Sequence, residues 1–164
     1  MDEVAERFAL YELKASYFRL LDTKQWALWR ELFTDEMAFF NDDALVPTST
    51  EPMTTSADEF VAMVSATLET AVTVHHGHMP EIRLDDEANA SGIWAMFDWV
   101  DSSGGGGGSM QGFGHYHERY VKGADLRWRI AELRLTRIRT DETAPTGAVP
   151  PAAPPWTPPA DRVG

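Results

Sequence analysis

The apolar positions of the first seventy residues recur at helical spacing. Segment 3–21 carries apolar side chains at i, i+3, i+7 and i+10, namely Leu10, Leu13, Tyr17 and Leu20. This stripe predicts an amphipathic helix. Asp22-Thr23-Lys24-Gln25 and Ser56-Ala57-Asp58-Glu59 have the form of capping boxes, and each predicts the start of a further helix. The second of the three helices turns three aromatic residues inward, Trp26, Trp29 and Phe33.

From residue 73 onward the apolar period changes from helical to alternating. Four long strands are predicted, near 73–84, 90–101, 111–121 and 127–139. Two short strands, Met37–Phe40 and Ala44–Val46, are predicted around the turn Asn41-Asp42-Asp43. Helices followed by strands indicate an α+β fold, with three N-terminal helices packed on one face of a curved, mainly antiparallel sheet. The expected shape is a cone-shaped α+β barrel with an interior cavity.

Two segments fall outside this pattern. Residues 141–164 hold seven of the ten prolines and predict an extended or disordered tail after a single domain of residues 1–140. Trp156 is the one potential anchor of this tail. The run Gly104–Gly108 joins two strands, and its composition fits a flexible linker and a natural hairpin loop equally well. The glycine run carries no chemistry of its own, whereas a tail that docked could cover a pocket or reach a neighbouring subunit.

Composition narrows the classes of function. The chain has 164 residues, a formal net charge of -12 and no cysteine, which excludes disulfides, zinc–thiolate sites, iron–sulfur clusters and a thiol nucleophile. So acidic a chain repels phosphate backbones, which argues against nucleic acid as a partner. The N-terminus lacks the basic and apolar regions of a signal peptide, and no apolar stretch approaches 18 residues. We therefore expect a cytoplasmic protein without a membrane partner.

Two charged residues interrupt the apolar faces of their predicted strands. Asp98 shares its face with Trp94, Met96 and Val100. A carboxylate in these surroundings is desolvated, which suits acid/base or orienting chemistry, unless the strand bulges and turns it to solvent. Arg137 shares its face with Ala131, Leu133 and Leu135. An inward guanidinium requires a carboxylate partner inside the cone, unless the side chain reaches solvent from the strand end.

Tyr17 and Asp22 lie at the same end of the first predicted helix. Each has an ordinary interpretation, Tyr17 as a core residue and Asp22 as a helix N-cap. Both nevertheless project toward the region that the sheet covers. They are therefore candidates for a functional site as well.

Five histidines fall on the predicted strands. His75 lies on one face of its strand and His76 and His78 on the other, while His115 and His117 share a face of a later strand. Only one face of a sheet can line the cone. The spacing matches no defined metal motif, so we expect no metal and interpret His75 as a neutral imidazole available for proton transfer. Nucleotide-binding and nucleophile-elbow motifs are absent from the sequence, and we expect no cofactor.

Four stretches, in order over residues 5–140, resemble the SnoaL-like superfamily, and in particular bacterial bile acid 7α-dehydratases. They are Ser16–Asp22 with Lys24 and Trp26, Val74–Ile82, Ser91–Trp94 leading to Asp98, and Trp128 leading to Arg137. Scytalone dehydratase and hexachlorocyclohexane dehydrochlorinase belong to the same superfamily. The resemblance implies the nuclear-transport-factor-2-like cone and five catalytic residues, which match in type: Tyr17, Asp22, His75, Asp98 and Arg137.

Elimination of water next to a carbonyl without a cofactor requires a base, donors for the enolate oxygen and an acid for the leaving hydroxyl. We expect His75 to be the base, oriented by Asp22 or Asp98, with Tyr17 as a donor. Arg137 would keep the inward carboxylates ionised. An isomerase or intramolecular aldol cyclase on the same fold and a non-catalytic small-molecule-binding module remain alternatives.

The predicted substrate is a hydrophobic small molecule, steroid- or polyketide-like. Seven residues are predicted to contact it, namely Trp26, Phe40, His78, Trp94, Met96, Phe113 and His115. Aromatic core residues produce the same apolar pattern, so the substrate is not identified by it. The resemblance further implies a homodimer or homotrimer formed through the outer face of the sheet.

Overall fold

The computed structural model describes residues 2–144. It contains three α-helices, α1 (Glu3–Asp22), α2 (Trp26–Arg30) and α3 (Ala57–Leu68), and a short 3₁₀ helix at Ser103–Gly105. Five strands form one sheet, β1 (Phe33–Asp42), β2 (Val72–Leu84), β3 (Asn89–Asp101), β4 (Ser109–Lys122) and β5 (Trp128–Thr143). The strand order is β1-β5-β4-β3-β2, with β1 parallel to β5 and the other pairs antiparallel. The α+β prediction is confirmed.

Helix α1 forms as the apolar stripe predicts. Asp2 caps it, since its carboxylate accepts from the backbone N–H groups of Val4 and Ala5 at 3.1 and 3.3 Å. The buried face consists of the predicted residues together with Lys14 and Leu21. Because this face lies over the concave side of the sheet, α1 forms one wall of the interior.

The predicted capping box Asp22–Gln25 does not form. Helix α2 begins at Trp26 with Gln25 as an N-cap that makes no side-chain hydrogen bond. Asp22 is instead the last residue of α1, and its carboxylate binds His75 on β2. Because the Asp22 carboxylate binds His75, it does not cap α2. Ser56 does cap α3 as predicted, accepting from the backbone N–H of Glu59 at 3.4 Å.

The predicted short hairpin at residues 37–46 is wrong. Strand β1 runs from Phe33 to Asp42 and pairs with the distant β5, while residues 44–46 form bends. Asp42 explains the difference: its buried carboxylate accepts from the backbone N–H of Ser49 at 2.8 Å and from Arg134 at 2.8 Å. These bonds hold the residues after Asp42 as a loop against the sheet, and the loop returns to β1 through a single antiparallel bridge between Thr54 and Phe39.

The four long strands are confirmed to within a few residues at each end, although β5 continues to Thr143, three residues beyond the predicted domain boundary. Register shifts at His78/Glu81, Phe113/Gly114 and Arg119/Tyr120 bend the sheet. The predicted tail beyond residue 144 and its Trp156 lie outside the described residues. Among the helices of residues 2–144, none is long and apolar enough to span a membrane.

Candidate active site

A cavity of about 260 Å³ lies between α1, α3 and the concave face of the sheet. Its polar lining consists of Tyr17, Asn41, Thr67, His75, Asp98, Tyr116 and Arg137. The remaining lining residues are apolar, Leu21, Phe39, Met53, Phe60, Met63, Val64, Leu68, Val100, Met110 and Leu135. A mostly apolar chamber with a few polar groups is the usual form of a small-molecule site.

His75 and Asp22 form a hydrogen-bonded pair at the wall of the cavity. The Nδ1 of His75 lies 2.6 Å from Oδ1 of Asp22, and the backbone N–H of His75 donates to Oδ2 at 2.9 Å. Because an ionised carboxylate only accepts, it fixes the tautomer with the proton on Nδ1. His75 is 8% exposed and lines the cavity, so Nε2 is the ring nitrogen available to a ligand.

Two residues not predicted from the sequence, Thr73 and Lys24, extend this pair into a hydrogen-bonded network. The hydroxyl of Thr73 donates to Oδ1 of Asp22 at 2.9 Å, and the ammonium of Lys24 donates to the Thr73 hydroxyl at 2.8 Å. Burial lowers the pKa of Lys24, while the charge of Asp22 opposes this change. Thr73 lies two residues before His75, hence on the same face of β2, and this spacing is the signal that could have indicated it.

Asp98 and Arg137 form a second pair across the sheet. Nη1 of Arg137 donates to both carboxylate oxygens of Asp98 at 2.9 Å. Asp98 is directly opposite His75 in the β2–β3 register, and the side chains of the pair are 6% and 15% exposed. The predicted partnership of Arg137 with an inward carboxylate is confirmed.

The position of this ion pair depends on Gly112 of β4. A Cβ atom at residue 112 would lie 1.9 Å from Oδ1 of Asp98 and 2.1 Å from Nη1 of Arg137. Carbon and oxygen cannot approach so closely, so any other residue would displace the pair. Gly112 therefore provides the space in which the ion pair sits.

Tyr17 and Tyr116 project into the cavity from α1 and β4. Their ring centroids are 6.1 Å apart at an interplanar angle of 70°. Burial raises the pKa of each phenol well above 10.0, and neighbouring carboxylates, including Asp98, add to the rise. Both hydroxyls therefore stay protonated at neutral pH and are available as hydrogen-bond donors. Tyr116 was missed from the sequence, although it shares a strand face with Gly112.

The structure brings the five predicted catalytic residues to one region. Tyr17, His75, Asp98 and Arg137 line the cavity, and Asp22 lies directly behind the imidazole of His75. The arrangement offers a base fixed by a carboxylate, two phenol donors and a buried ion pair. Among residues 2–144, no three His, Asp or Glu side chains are grouped so that they could hold a metal ion.

None of the seven predicted substrate contacts lines the cavity. Four lie on the opposite face of the sheet. His78 lies beside His76 and His115 beside His117. Phe113 packs on Phe97, and Phe40 lies against Arg134, whose guanidinium carbon is 3.7 Å from the ring centroid. Side chains alternate between the faces of a strand. Because Phe39 and Asn41 line the cavity, the side chain of Phe40 between them lies on the outer face of the sheet.

The other three predicted contacts face inward but pack outside the cavity. The indole N–H of Trp94 donates to the hydroxyl of Tyr120 at 2.8 Å within the core. Met96 is buried behind Arg137, with its sulfur 3.9 Å from Nη1. Trp26 packs against Trp29 at a centroid distance of 5.9 Å. Half of the apolar lining comes instead from α3 and the loop before it, which the strand pattern did not reveal.

The SnoaL-like domain model matches residues 2–134. The chain belongs to the SnoaL-like domain family. This agrees with the resemblance found in the sequence, and the cone-like α+β fold is that of the family.

Solved structures share the fold of this SnoaL-like domain at low sequence identity. A protein from Kribbella flavida has a TM-score of 0.74 and 21% identity, with 85% of this chain and 95% of that chain covered. A scytalone dehydratase-like protein from Novosphingobium aromaticivorans has a TM-score of 0.70 and 16% identity, with 90% of this chain and 94% of that chain covered. The type-3 hexachlorocyclohexane dehydrochlorinase from Novosphingobium barchaimii has a TM-score of 0.69 and 18% identity, with 92% of this chain and 98% of that chain covered.

Proposed function

We propose that this protein is a cofactor-independent lyase that eliminates water next to a carbonyl group of a small hydrophobic molecule. The single observation that carries the proposal is the His75 imidazole, fixed by Asp22 through Nδ1 and facing an apolar cavity. An imidazole positioned in such a place is a competent general base. The names of its structural neighbours include a dehydratase-like protein and a dehydrochlorinase, both of which denote eliminations.

In the proposed reaction Nε2 of His75 removes the proton α to the carbonyl, and the C–H electron pair forms an enolate. Collapse of the enolate forms the carbon–carbon double bond and breaks the bond to the β-hydroxyl. The imidazolium returns its proton to the departing oxygen, which leaves as water. Asp22 stabilises the transient imidazolium, and the enzyme ends in its starting protonation state.

The two cavity tyrosines can donate hydrogen bonds to the enolate oxygen. Tyr17 and Tyr116 both remain protonated, since burial raises the pKa of each phenol. A donor aimed at the developing charge stabilises the transition state more than the ground state. Asp98 and Arg137 neutralise one another on the adjacent wall, so they add polarity without a net charge.

Cavity size restricts the substrate. The volume of about 260 Å³ lies below the range of roughly 300–1,000 Å³ typical of pockets for drug-sized ligands. We therefore favour a mono- or bicyclic β-hydroxy ketone over a steroid. Three methionines, Met53, Met63 and Met110, lie in the lining, and their flexible side chains allow some adjustment to ligand shape.

A panel of small cyclic β-hydroxy ketones tests this function. Each is incubated with the protein in deuterium oxide and analysed by mass spectrometry and proton NMR. We expect an enone product lighter by one water, and slower conversion when the α-carbon carries deuterium. Conversion without a change of mass, apart from deuterium uptake, would instead identify an isomerase or aldol cyclase. Absence of both conversion and α-proton exchange across the panel would contradict acid/base catalysis.

A further inference from the structure

Lys14 is a buried cation that the proposed reaction does not use. It lies on α1 and is 0% exposed. Its ammonium forms an ion pair with Glu118 of β4, whose side chain is also buried. A charged side chain is costly to bury, so this pair requires an explanation beyond the ordinary packing of a helix.

A chain of hydrogen bonds holds Glu118 from the other side. The hydroxyl of Tyr120 donates to Oε2 of Glu118 at 2.5 Å, and the indole N–H of Trp94 donates to the Tyr120 hydroxyl at 2.8 Å. Both carboxylate oxygens of Glu118 therefore have partners. The network fixes the position of the anion and, through it, the position of the Lys14 ammonium.

The positive end of the network touches the two cavity tyrosines. Nζ of Lys14 lies 3.7 Å from the ring centroid of Tyr116 and 4.1 Å from that of Tyr17. The ring of Phe18, at 4.7 Å, is the third aromatic neighbour. A cation over the face of an aromatic ring attracts its electron density. In a phenol this attraction reaches the oxygen and strengthens the hydroxyl as a hydrogen-bond donor.

We propose that Lys14 is a positioning residue: its ammonium, over the ring faces of Tyr17 and Tyr116, orients and polarises both phenols so that their hydroxyls form an anion-binding site in the cavity. The inference rests on the proposed function, in which an enolate oxygen occupies that site. Glu118 and its partners hold the cation in place and balance its charge. The site takes an oxyanion attached to an aromatic or enolic ring.

The contacts distinguish this role from simple packing. An apolar side chain of equal length would fill the space of Lys14 but leave the rings without a cation. Lys122 offers a matched control: it pairs with Glu6 and lies 5.3 Å from the ring centroid of Trp128, and it does not line the cavity. Loss of Lys122 removes a similar ion pair and cation–π contact without affecting the tyrosines.

Binding of 4-nitrophenolate and nitrobenzene tests the site without any turnover. The first probe is an aromatic oxyanion, and the second is a neutral ring of nearly equal size. Calorimetric affinities are measured for the wild type, Lys14→Met, the double variant Lys14→Met/Glu118→Gln, and Lys122→Met. We expect the wild type and Lys122→Met to bind the phenolate more tightly than nitrobenzene. In Lys14→Met the ratio of these two affinities should fall about tenfold.

The double variant separates the local role of Lys14 from its effect on stability. Removing Lys14 alone leaves Glu118 buried without a counter-ion, whereas the double variant contains no unpaired charge. We expect the double variant to regain thermal stability but not the phenolate preference. If Lys14→Met does not fold, the double variant alone carries the comparison. Equal affinity of the wild type for both probes, or an unchanged preference in the folded Lys14 variants, overturns the proposal.

The two proposals fail separately in this experiment. A His75→Ala variant should lose elimination but keep its preference for phenolate, because the tyrosines and Lys14 are intact. If His75→Ala still turns over a substrate while Lys14→Met loses the preference, only the proposed reaction is wrong. With an identified substrate, Lys14→Met should lower kcat about tenfold and leave KM within about twofold, which a general loss of folded protein would not do.

Discussion

Replacement of His75 by alanine is expected to lower the turnover of an accepted β-hydroxy ketone by at least about 100-fold. The substitution removes the imidazole that Asp22 holds at 2.6 Å, and no second histidine lines the cavity formed by the described residues. Substrate affinity should change little, since the apolar lining is unaffected. Steady-state kinetics with wild type and variant at equal folded concentration measure the effect.

His76→Ala is the matched control for this experiment. His76 is the next residue on β2, but its side chain is exposed on the outer face, near those of His78 and Phe97. We expect its removal to leave turnover within about twofold of the wild type, as surface substitutions usually do. Near-normal turnover in His75→Ala would refute the assignment of the base.

Gly112→Ala should cost both stability and activity. The added methyl group would lie 1.9 Å from Oδ1 of Asp98 and 2.1 Å from Nη1 of Arg137, so the ion pair must shift or separate. Overpacking costs about 1–3 kcal/mol, and a broken buried pair costs about 3–5 kcal/mol. We expect the free energy of unfolding to fall by about 3 kcal/mol, with a clear loss of turnover, because Asp98 and Arg137 line the cavity.

Gly104→Ala provides the comparison for the glycine experiment. Residue 104 lies in the short 3₁₀ helix Ser103–Gly105, and the nearest atom to an added Cβ is 4.0 Å away. Denaturant unfolding and kinetics should show little change for this variant. If Gly112→Ala were as stable and as active as Gly104→Ala, the ion pair would not depend on the space at residue 112.

Local periodicity was sufficient to predict most of the fold. Helices α1 and α3 and strands β2 to β5 follow from apolar spacing and caps, because each pattern is read within one segment. The alternation of side chains along a strand also placed Asp98 and Arg137 on inward faces. Their pairing could be anticipated because a buried guanidinium needs a buried carboxylate.

Contacts between distant segments were not predictable in this way. Asp22 has the sequence context of an N-cap, and only its contact with β2, 53 residues away, turns it toward His75. Strand β1 is lengthened by parallel pairing with β5, which its own residues do not indicate. In both cases a tertiary partner replaces the local one.

The predicted substrate contacts do not line the cavity for a related reason. Alternation shows that His115 and Phe113 share a face of β4, but it does not show which face is covered by α1 and α3. Tyr116, on the other face, lines the cavity instead. The lining from α3 and from Met53 also depends on how the helix and the loop pack, which no strand pattern contains.

The tautomer of His75 decides whether its imidazole can serve as the base. Nitrogen NMR of labelled protein, recorded where the imidazole is neutral, separates a protonated from an unprotonated ring nitrogen. We expect a proton on Nδ1, facing Asp22, and an unprotonated Nε2 directed to the cavity, with this preference lost in Asp22→Ala. A proton on Nε2 in the wild type would refute His75 as the base, because the nitrogen facing the substrate could then not accept a proton.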